Sequence, residues 1–141
     1  LRAIAGEPIT IYGDGKQVRD VLFVDDLVAA FAQAEQNMQT LAGHACNIGG
    51  GPDNTLSLRE LLQHMRQLGL QPQVEFADWR TGDQPYYVSD TRSFQRATGW
   101  RAHVPVRAGL RRLHAWLAQP ATRARTAASM HDALHYDEAG S

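Results

Sequence analysis

Residues 12–26 of the chain read Tyr-Gly-Asp-Gly-Lys-Gln-Val-Arg-Asp-Val-Leu-Phe-Val-Asp-Asp. Glycine tolerates positive φ and aspartate bonds its own backbone, so residues 13–15 predict a tight turn. Residues 18–24 are rich in β-branched and aromatic side chains and predict a strand with Arg19 near its entrance. Asp25 is a predicted N-cap for the helix that follows. The stretch therefore predicts an arginine near a strand end, beside a glycine turn.

Short elements extend outward from this stretch in both directions. The patterns of apolar, glycine and capping residues predict helices at residues 1–5, 25–38, 57–68, 90–98 and 106–120, and strands at residues 9–12, 45–48, 74–76 and 86–88. Strands and helices do not alternate regularly along the chain. The sequence therefore predicts a small α+β domain without a complete doubly wound sheet.

Composition narrows the class of protein. The 141 residues include 14 basic and 15 acidic side chains, so no basic field favours nucleic acid. The single cysteine, Cys46, excludes an internal disulfide. No stretch reaches the roughly 18 apolar residues that a membrane span requires, and no secretory signal is evident. These features predict a soluble cytoplasmic protein with neither a nucleic-acid partner nor a membrane partner.

The two ends of the chain differ in character from its middle. The chain begins at Leu1 without a methionine, which is typical of a fragment of a larger protein. Residues 120–141 are rich in alanine, threonine and arginine and have little periodicity. We therefore expect one domain at residues 1–119 and a disordered tail at residues 120–141.

Two arginines carry the chemistry that the sequence suggests. Arg19 and Arg80 both stand beside glycine-containing turns, where a guanidinium can donate two parallel hydrogen bonds to phosphate oxygens. A pair of them could clamp a diphosphate. The alternative is a structural ion pair of each arginine with its neighbouring carboxylate, Asp20 or Asp83. Spacing alone leaves both interpretations open.

Other motifs are incomplete. Residues 13–16 lack the upstream glycine and the hydroxyl residue of a P-loop, and residues 49–54 depart from the dinucleotide fingerprint at Asn54. His131 and His135 have zincin spacing, but an aspartate stands where the glutamate base is needed. No serine lies in a nucleophile elbow. The residues thus predict an anion-binding half-site, no metal site and no catalytic machinery.

The sequences of several segments resemble those of a known family. Residues 12–27 resemble the hallmark segment of the C-terminal half of extended short-chain dehydrogenase/reductases that act on nucleotide sugars. Asn-Ile-Gly-Gly at residues 47–50, Arg-Thr-Gly-Asp at 80–83 and Thr-Gly-Trp at 98–100 follow in the family's order. Residues 54–61 and 80–90 look most like the CDP-paratose 2-epimerase (CDP-tyvelose epimerase) group. UDP-glucose 4-epimerases and dTDP-glucose 4,6-dehydratases share the two arginines but not this wording.

The resemblance implies a role for five residues. Arg19 and Arg80 look like the arginines that hold the nucleotide diphosphate. Tyr12 resembles the aromatic residue beside the nucleotide base, and Asn54 resembles the loop asparagine near the nucleotide. Asp83 occupies the family's position near the ribose and phosphate. The resemblance thus favours the diphosphate clamp and a nucleotide-diphosphate sugar as its ligand.

The resemblance also implies what this chain does not contain. The family's NAD loop and its catalytic Tyr-x-x-x-Lys belong to the N-terminal Rossmann part, and the only lysine here is Lys16. The chain is therefore expected to be the substrate-binding part of an NAD-dependent epimerase of lipopolysaccharide sugar biosynthesis, inactive and free of cofactor by itself. Two alternatives stay open, a non-catalytic nucleotide-sugar binding or assembly module and a remnant without a ligand. A detached part should also expose apolar surface and self-associate.

Overall fold

A computed structural model describes residues 1–120, which form six α-helices, five short strands and one 3₁₀ turn. The helices are α1 (Arg2–Ala5), α2 (Val24–Gln36), α3 (Met38–Leu41), α4 (Leu58–Gln67), α5 (Arg92–Thr98) and α6 (Val106–Leu117). The strands are β1 (Ile9–Tyr12), β2 (Val18–Asp20), β3 (Thr55–Ser57), β4 (Val74–Ala77) and β5 (Tyr86–Tyr87). Residues 121–141 of the predicted tail, with His131 and His135, lie outside the described residues.

The strands form two small sheets. Strand β1 pairs in parallel with β4, and β2 lies between antiparallel β3 and parallel β5. The protein is therefore a mixture of helices and small sheets, as predicted. That the chain contains no complete Rossmann domain stays a prediction.

The glycine turn between β1 and β2 forms as the sequence predicts. Gly13 and Gly15 have φ of 80° and 75°, a conformation that other residues rarely adopt. The Asp14 carboxylate accepts the backbone N–H of Lys16 at 2.9 Å. The Arg59 side chain donates to the Asp14 carbonyl at 2.7 Å. The turn is thus fixed to the start of α4.

Helix α4 begins with the predicted capping box. The Ser57 hydroxyl accepts the backbone N–H of Glu60 at 3.2 Å, and the Glu60 carboxylate accepts the Ser57 N–H at 2.7 Å. The Ser57 hydroxyl also donates to the Glu60 carboxylate at 2.8 Å, and together the backbone N–H and the hydroxyl of Ser57 lower the pKa of Glu60 below its usual value. Reciprocal hydrogen bonds of this kind satisfy backbone donors that a helix start otherwise leaves free.

Strand β2 is shorter than the strand predicted at residues 18–24. It ends at Asp20, and after one more hydrogen bond from the Val21 N–H to the Asn54 carbonyl the chain leaves the sheet. The Gly50 backbone packs directly on the Val21 carbonyl, where a Cβ would overlap the oxygen. This close packing occupies the position that a neighbouring strand would need.

Helix α2 begins two residues earlier than predicted. Phe23 is its N-cap, so the prediction of Asp25 as the cap was wrong. Asp26, in the first turn, is buried, and its carboxylate accepts the backbone N–H groups of His103 and Val104 at 3.1 and 2.9 Å. The carboxylate thus caps a distant loop, a contact that local sequence does not reveal.

The core lies between α2 and α5. Its main cluster contains Ala30, Phe94 and Trp100, and the two aromatic rings meet edge to face with centroids 5.6 Å apart. The Trp100 indole N–H donates to the Asp26 carbonyl at 3.1 Å. This contact ties the core to the start of α2.

The strand predicted at residues 45–48 does not form. Cys46 and Ile48 pack against the core as expected, but the segment makes no backbone-to-backbone hydrogen bond in the described part of the chain. A strand needs a neighbour, and no described strand lies alongside this segment. Its apolar pattern therefore reflects core packing without sheet pairing.

Candidate functional site

A cavity of about 220 Å³ opens where β1 meets the glycine turn and β2. Its wall includes four of the five residues singled out by the sequence, Tyr12, Arg19, Arg80 and Asp83. Thr10, Ile11, Gln17 and Leu58 complete the wall. The fold thus brings together residues from the two ends of this region of the sequence, such as Tyr12 and Asp83.

Arg19 enters the cavity from β2, where it stands opposite Leu56 of β3 and Tyr87 of β5. The side chain is half-buried, and its Nη1 donates to the Val18 carbonyl at 2.8 Å. No carboxylate within the described residues forms an ion pair with Arg19. The guanidinium therefore has donors to offer to an anion in the cavity.

The Asp20 carboxylate contacts the glycine loop and does not pair with the Arg19 guanidinium. Its Oδ2 accepts the backbone N–H of Gly51 at 3.1 Å, which fixes the glycine loop against β2. The ion pair between Arg19 and Asp20, one of the two alternatives from the sequence, is absent from the structure.

Arg80 is held differently from Arg19. Its guanidinium carbon lies 4.2 Å from the centre of the Tyr12 ring, and its Nε lies 3.5 Å from the Asp83 carboxylate. The side chain is 64% exposed, so both contacts are weak but orienting. The ion pair that the sequence offered as an alternative is therefore present here. This ion pair uses the Nε edge of the guanidinium and leaves the two terminal nitrogens for a ligand.

Gln17 is a cavity residue that sequence reasoning missed. It is buried, and its amide nitrogen donates to the Tyr12 carbonyl across the glycine turn. Its amide oxygen is buried and has no hydrogen-bond partner among residues 1–120. The available signal was spacing, because Gln17 precedes Arg19 by two residues and side chains two apart in an extended segment share a face. Gln17 thus supports the turn that presents Tyr12.

Asn54 does not line the cavity. The residue is buried, its side-chain amide donates to the Val104 carbonyl at 3.3 Å, and its own carbonyl accepts the Val21 N–H at 2.8 Å. These contacts join the end of β2 to the loop before α6. A nucleotide contact for Asn54 stays a prediction.

The glycine loop at residues 49–51 packs closely on other segments of the chain. Gly49 lies so close to the Ser89 and Asp20 side chains that a Cβ would overlap both. Gly50 contacts the Val21 carbonyl, and the Gly51 N–H is already bonded to Asp20. The close backbone approach that glycine permits is therefore used for packing within the chain.

Beside this loop lies a larger cavity of about 450 Å³, where the main charged feature is an internal pair. The Arg92 guanidinium donates to both oxygens of Asp90 at 2.8 and 2.6 Å and lowers the pKa of that carboxyl to about 2.

Across residues 1–120, no three His, Cys, Asp or Glu side chains come together as a metal site. No helix in this part of the chain is long and apolar enough to cross a membrane.

Comparison with known proteins adds independent information. Residues 1–49 match the family model described as the NAD dependent epimerase/dehydratase family. The chain is 33% identical over 111 residues to CDP-paratose 2-epimerase of Salmonella typhi, covering 78% of this chain and 33% of that protein. It is 30% identical over 138 residues to dTDP-glucose 4,6-dehydratase of Neisseria gonorrhoeae, covering 90% of this chain and 39% of that protein.

Solved structures agree with these relatives. MoeE5 in complex with UDP-glucose and NAD superimposes with a TM-score of 0.69 at 36% identity, over 77% of this chain and 36% of that chain. UDP-glucose 4-epimerase of Thermotoga maritima with UDP-glucose gives a TM-score of 0.67 at 29% identity, over 77% and 34%. The chain spans between 33% and 39% of the length of these relatives. Sequence and fold together place the chain in the NAD-dependent epimerase/dehydratase family, of the extended short-chain dehydrogenase/reductase type.

Proposed function

We propose that residues 1–119 are the C-terminal, substrate-binding portion of an NAD-dependent nucleotide-sugar epimerase or dehydratase, and that the cavity beside β2 binds the diphosphate of the substrate. The observation that carries the proposal is the meeting of Arg19, Arg80, Tyr12 and Asp83 around one cavity. Arg19 forms no ion pair with any described residue, which makes it the stronger candidate for a phosphate.

Each cavity residue has a task that suits its contacts. Arg19 donates parallel hydrogen bonds to phosphate oxygens from a half-buried position, where electrostatic attraction is stronger than in open water. Arg80, oriented by Tyr12 and Asp83, closes on the diphosphate from the exposed side. The Asp83 carboxylate repels phosphate but accepts hydrogen bonds from hydroxyl groups, so we expect the ribose to lie beside it. Tyr12 offers an aromatic face to the base.

The remaining chemistry belongs to residues outside this chain. In the proposed enzyme, NAD would supply the hydride chemistry on the sugar, and the tyrosine and lysine of the family's Tyr-x-x-x-Lys motif would hold and move the proton. Gly49 and Gly50 pack closely on other residues of this chain, and Lys16, the sole lysine, pairs with Asp14 in the turn. We therefore expect the isolated chain to bind a nucleotide diphosphate without catalysing a reaction.

The nucleotide base is the finer part of the proposal. Likeness to CDP-paratose 2-epimerase supports a CDP-sugar and epimerisation at C2. Likeness to dTDP-glucose dehydratases and to MoeE5 supports dTDP- and UDP-sugars as competing candidates. A non-catalytic nucleotide-sugar module, the alternative from the sequence, would show the same binding with no NAD-dependent partner.

Isothermal titration of the 141-residue chain with CDP, UDP and dTDP tests the proposal. Hydrogen bonds to a charged group are worth about 1.5–3 kcal/mol, so Arg19→Ala should weaken the preferred nucleotide roughly 10- to 150-fold. Arg66→Ala, an exposed arginine of α4 outside the cavity, should leave affinity unchanged. Equal affinity of wild type and Arg19→Ala would refute the phosphate contact of Arg19, and no measurable binding by wild type would support the remnant without a ligand.

A further inference from the structure

A small cleft, here called the α4–α6 cleft, lies between the C-terminal end of α4 and the first turns of α6. Its volume is about 150 Å³. Six residues line it: His64, Gln67, Leu68, Arg107, Leu110 and Arg111. Three of these side chains are basic and none is acidic. The cleft shares no residue with the cavity beside β2, so it is a separate site.

The two arginines of the cleft have no counter-charge. Arg107 and Arg111 are four residues apart, which places both on one side of α6. Both side chains are exposed, and neither forms an ion pair with a carboxylate of residues 1–120. Like charges at this spacing repel each other and destabilise a helix. The pair is therefore unfavourable to the helix that carries it.

The position of Arg107 is unfavourable for a second reason. Arg107 lies in the first turn of α6, which contains no acidic residue, and the N-cap Pro105 provides no side-chain hydrogen bond. The partial positive charge at a helix N-terminus favours anions there and disfavours cations. Sequences break such local rules mainly where a function requires it. The two placements together indicate that the positive charge serves an anionic ligand.

His64 approaches the same cleft from α4. Its Nδ1 lies 3.2 Å from the side-chain oxygen of Gln67. Because an amide oxygen only accepts hydrogen bonds, Nδ1 must carry the hydrogen, which leaves Nε2 for another partner. Nε2 becomes a donor when the ring is protonated, and a nearby anion favours the protonated form. An anion in the cleft would thus gain a third positive group.

We propose that the α4–α6 cleft binds a phosphate group. Guanidinium groups donate parallel hydrogen bonds to phosphate oxygens, and two of them on one helix side can share one group. Pockets that enclose a whole small molecule measure roughly 300–1,000 Å³, and this cleft is smaller. Its ligand is therefore inorganic phosphate or the phosphate group of a molecule that extends into solvent. The site does not depend on the proposed function, because the two cavities are separate.

Titration of the isotope-labelled 141-residue chain with sodium phosphate, followed by NMR, tests the site. Backbone amides at residues 64–68 and 107–111 should shift in a saturable way, with half-saturation at low millimolar phosphate or below. Sodium chloride holds the ionic strength constant, so that changes in screening do not resemble binding. Arg107→Ala and Arg111→Ala should each weaken phosphate at least about fivefold, because each removes a charged hydrogen-bond donor.

Arg112→Ala is the matched control. It removes the same charge from the position next to Arg111, but Arg112 lies outside the cleft and pairs with Asp25 at 3.4 Å. This variant should change phosphate affinity by less than about twofold. Wild-type amides of the cleft that show no saturable shift, or an equal weakening by Arg112→Ala and Arg111→Ala, would overturn the proposal.

Two further titrations identify the source of the phosphate group and separate this site from the diphosphate cavity. Tighter binding of glucose 1-phosphate than of inorganic phosphate would support the phosphate group of an organic molecule, whereas equal or weaker binding would support free phosphate. Arg19→Ala should remove any phosphate-induced shifts at residues 10–19 and leave those of the cleft unchanged. Failure of the nucleotide site would thus leave the α4–α6 cleft untouched, and the reverse also holds.

Discussion

Replacement of Asp26 by alanine should destabilise the protein far more than replacement of its neighbour Asp25. Asp26 is 5% exposed, and its carboxylate accepts two backbone N–H groups, from His103 at 3.1 Å and Val104 at 2.9 Å. Each hydrogen bond to a charged group is worth about 1.5–3 kcal/mol, so Asp26→Ala should cost roughly 3–6 kcal/mol. Small domains have only about 5–15 kcal/mol in total, so the variant should be marginally folded.

Asp25→Ala provides a matched control from the same turn of α2. Its side chain is 68% exposed and pairs with Arg112, itself 58% exposed, at 3.4 Å. Exposed pairs of this kind contribute about 0–1 kcal/mol. Urea unfolding followed by far-UV circular dichroism gives both free energies of unfolding. Equal losses for Asp25→Ala and Asp26→Ala would refute the assignment of Asp26 as the anchor of residues 103–104.

Three further changes follow from local geometry. Gly50→Ala should cost about 1–3 kcal/mol in urea unfolding, because its Cβ would overlap the Val21 carbonyl oxygen and neither backbone can yield easily. Ser57→Ala should cost about 1 kcal/mol because it removes the helix cap. Because the pKa of Glu60 is lowered in the folded protein, the stability that the cap contributes is present above the ordinary Glu60 pKa of 4.5 and is lost as the pH falls through the lowered folded-state pKa. Asp90→Asn should remove one acid-dependent loss of stability. The pKa of Asp90 is about 2 in the folded protein against an ordinary value of 3.8, so the stability that its carboxylate contributes is complete above about pH 4 and is lost towards pH 2. Unfolding curves that keep their wild-type pH profile in the last two variants would contradict the assigned hydrogen bonds.

Features encoded by adjacent residues could be predicted from the sequence. The turn at residues 13–15 and the capping box at residues 57–60 depend on backbone conformations that glycine, aspartate and serine impose locally. The gathering of Arg19 and Arg80 at one cavity is non-local, and the family resemblance supplied it. Their ligand stays a prediction.

Features decided by distant neighbours could not be predicted. The end of β2 depends on the Gly50 backbone, which lies on the Val21 carbonyl. The role of Asp26 depends on residues 103–104, nearly 80 positions away. Residues 45–48 have the composition of a buried strand, yet a strand also requires a partner that composition does not specify. In each case the deciding contact is tertiary.

If Arg19 and Arg80 together hold a diphosphate, the second phosphate of the nucleotide should add to its affinity. The ratio of CDP affinity to CMP affinity measures this contribution. If both guanidinium groups contact the diphosphate, wild type should bind CDP at least about tenfold more tightly than CMP, since the second phosphate adds charged hydrogen bonds. Arg19→Ala should reduce this ratio more than Arg80→Ala, because Arg80 is 64% exposed and already paired with Asp83. A wild-type ratio near one, or a ratio unchanged in Arg19→Ala, would contradict the account.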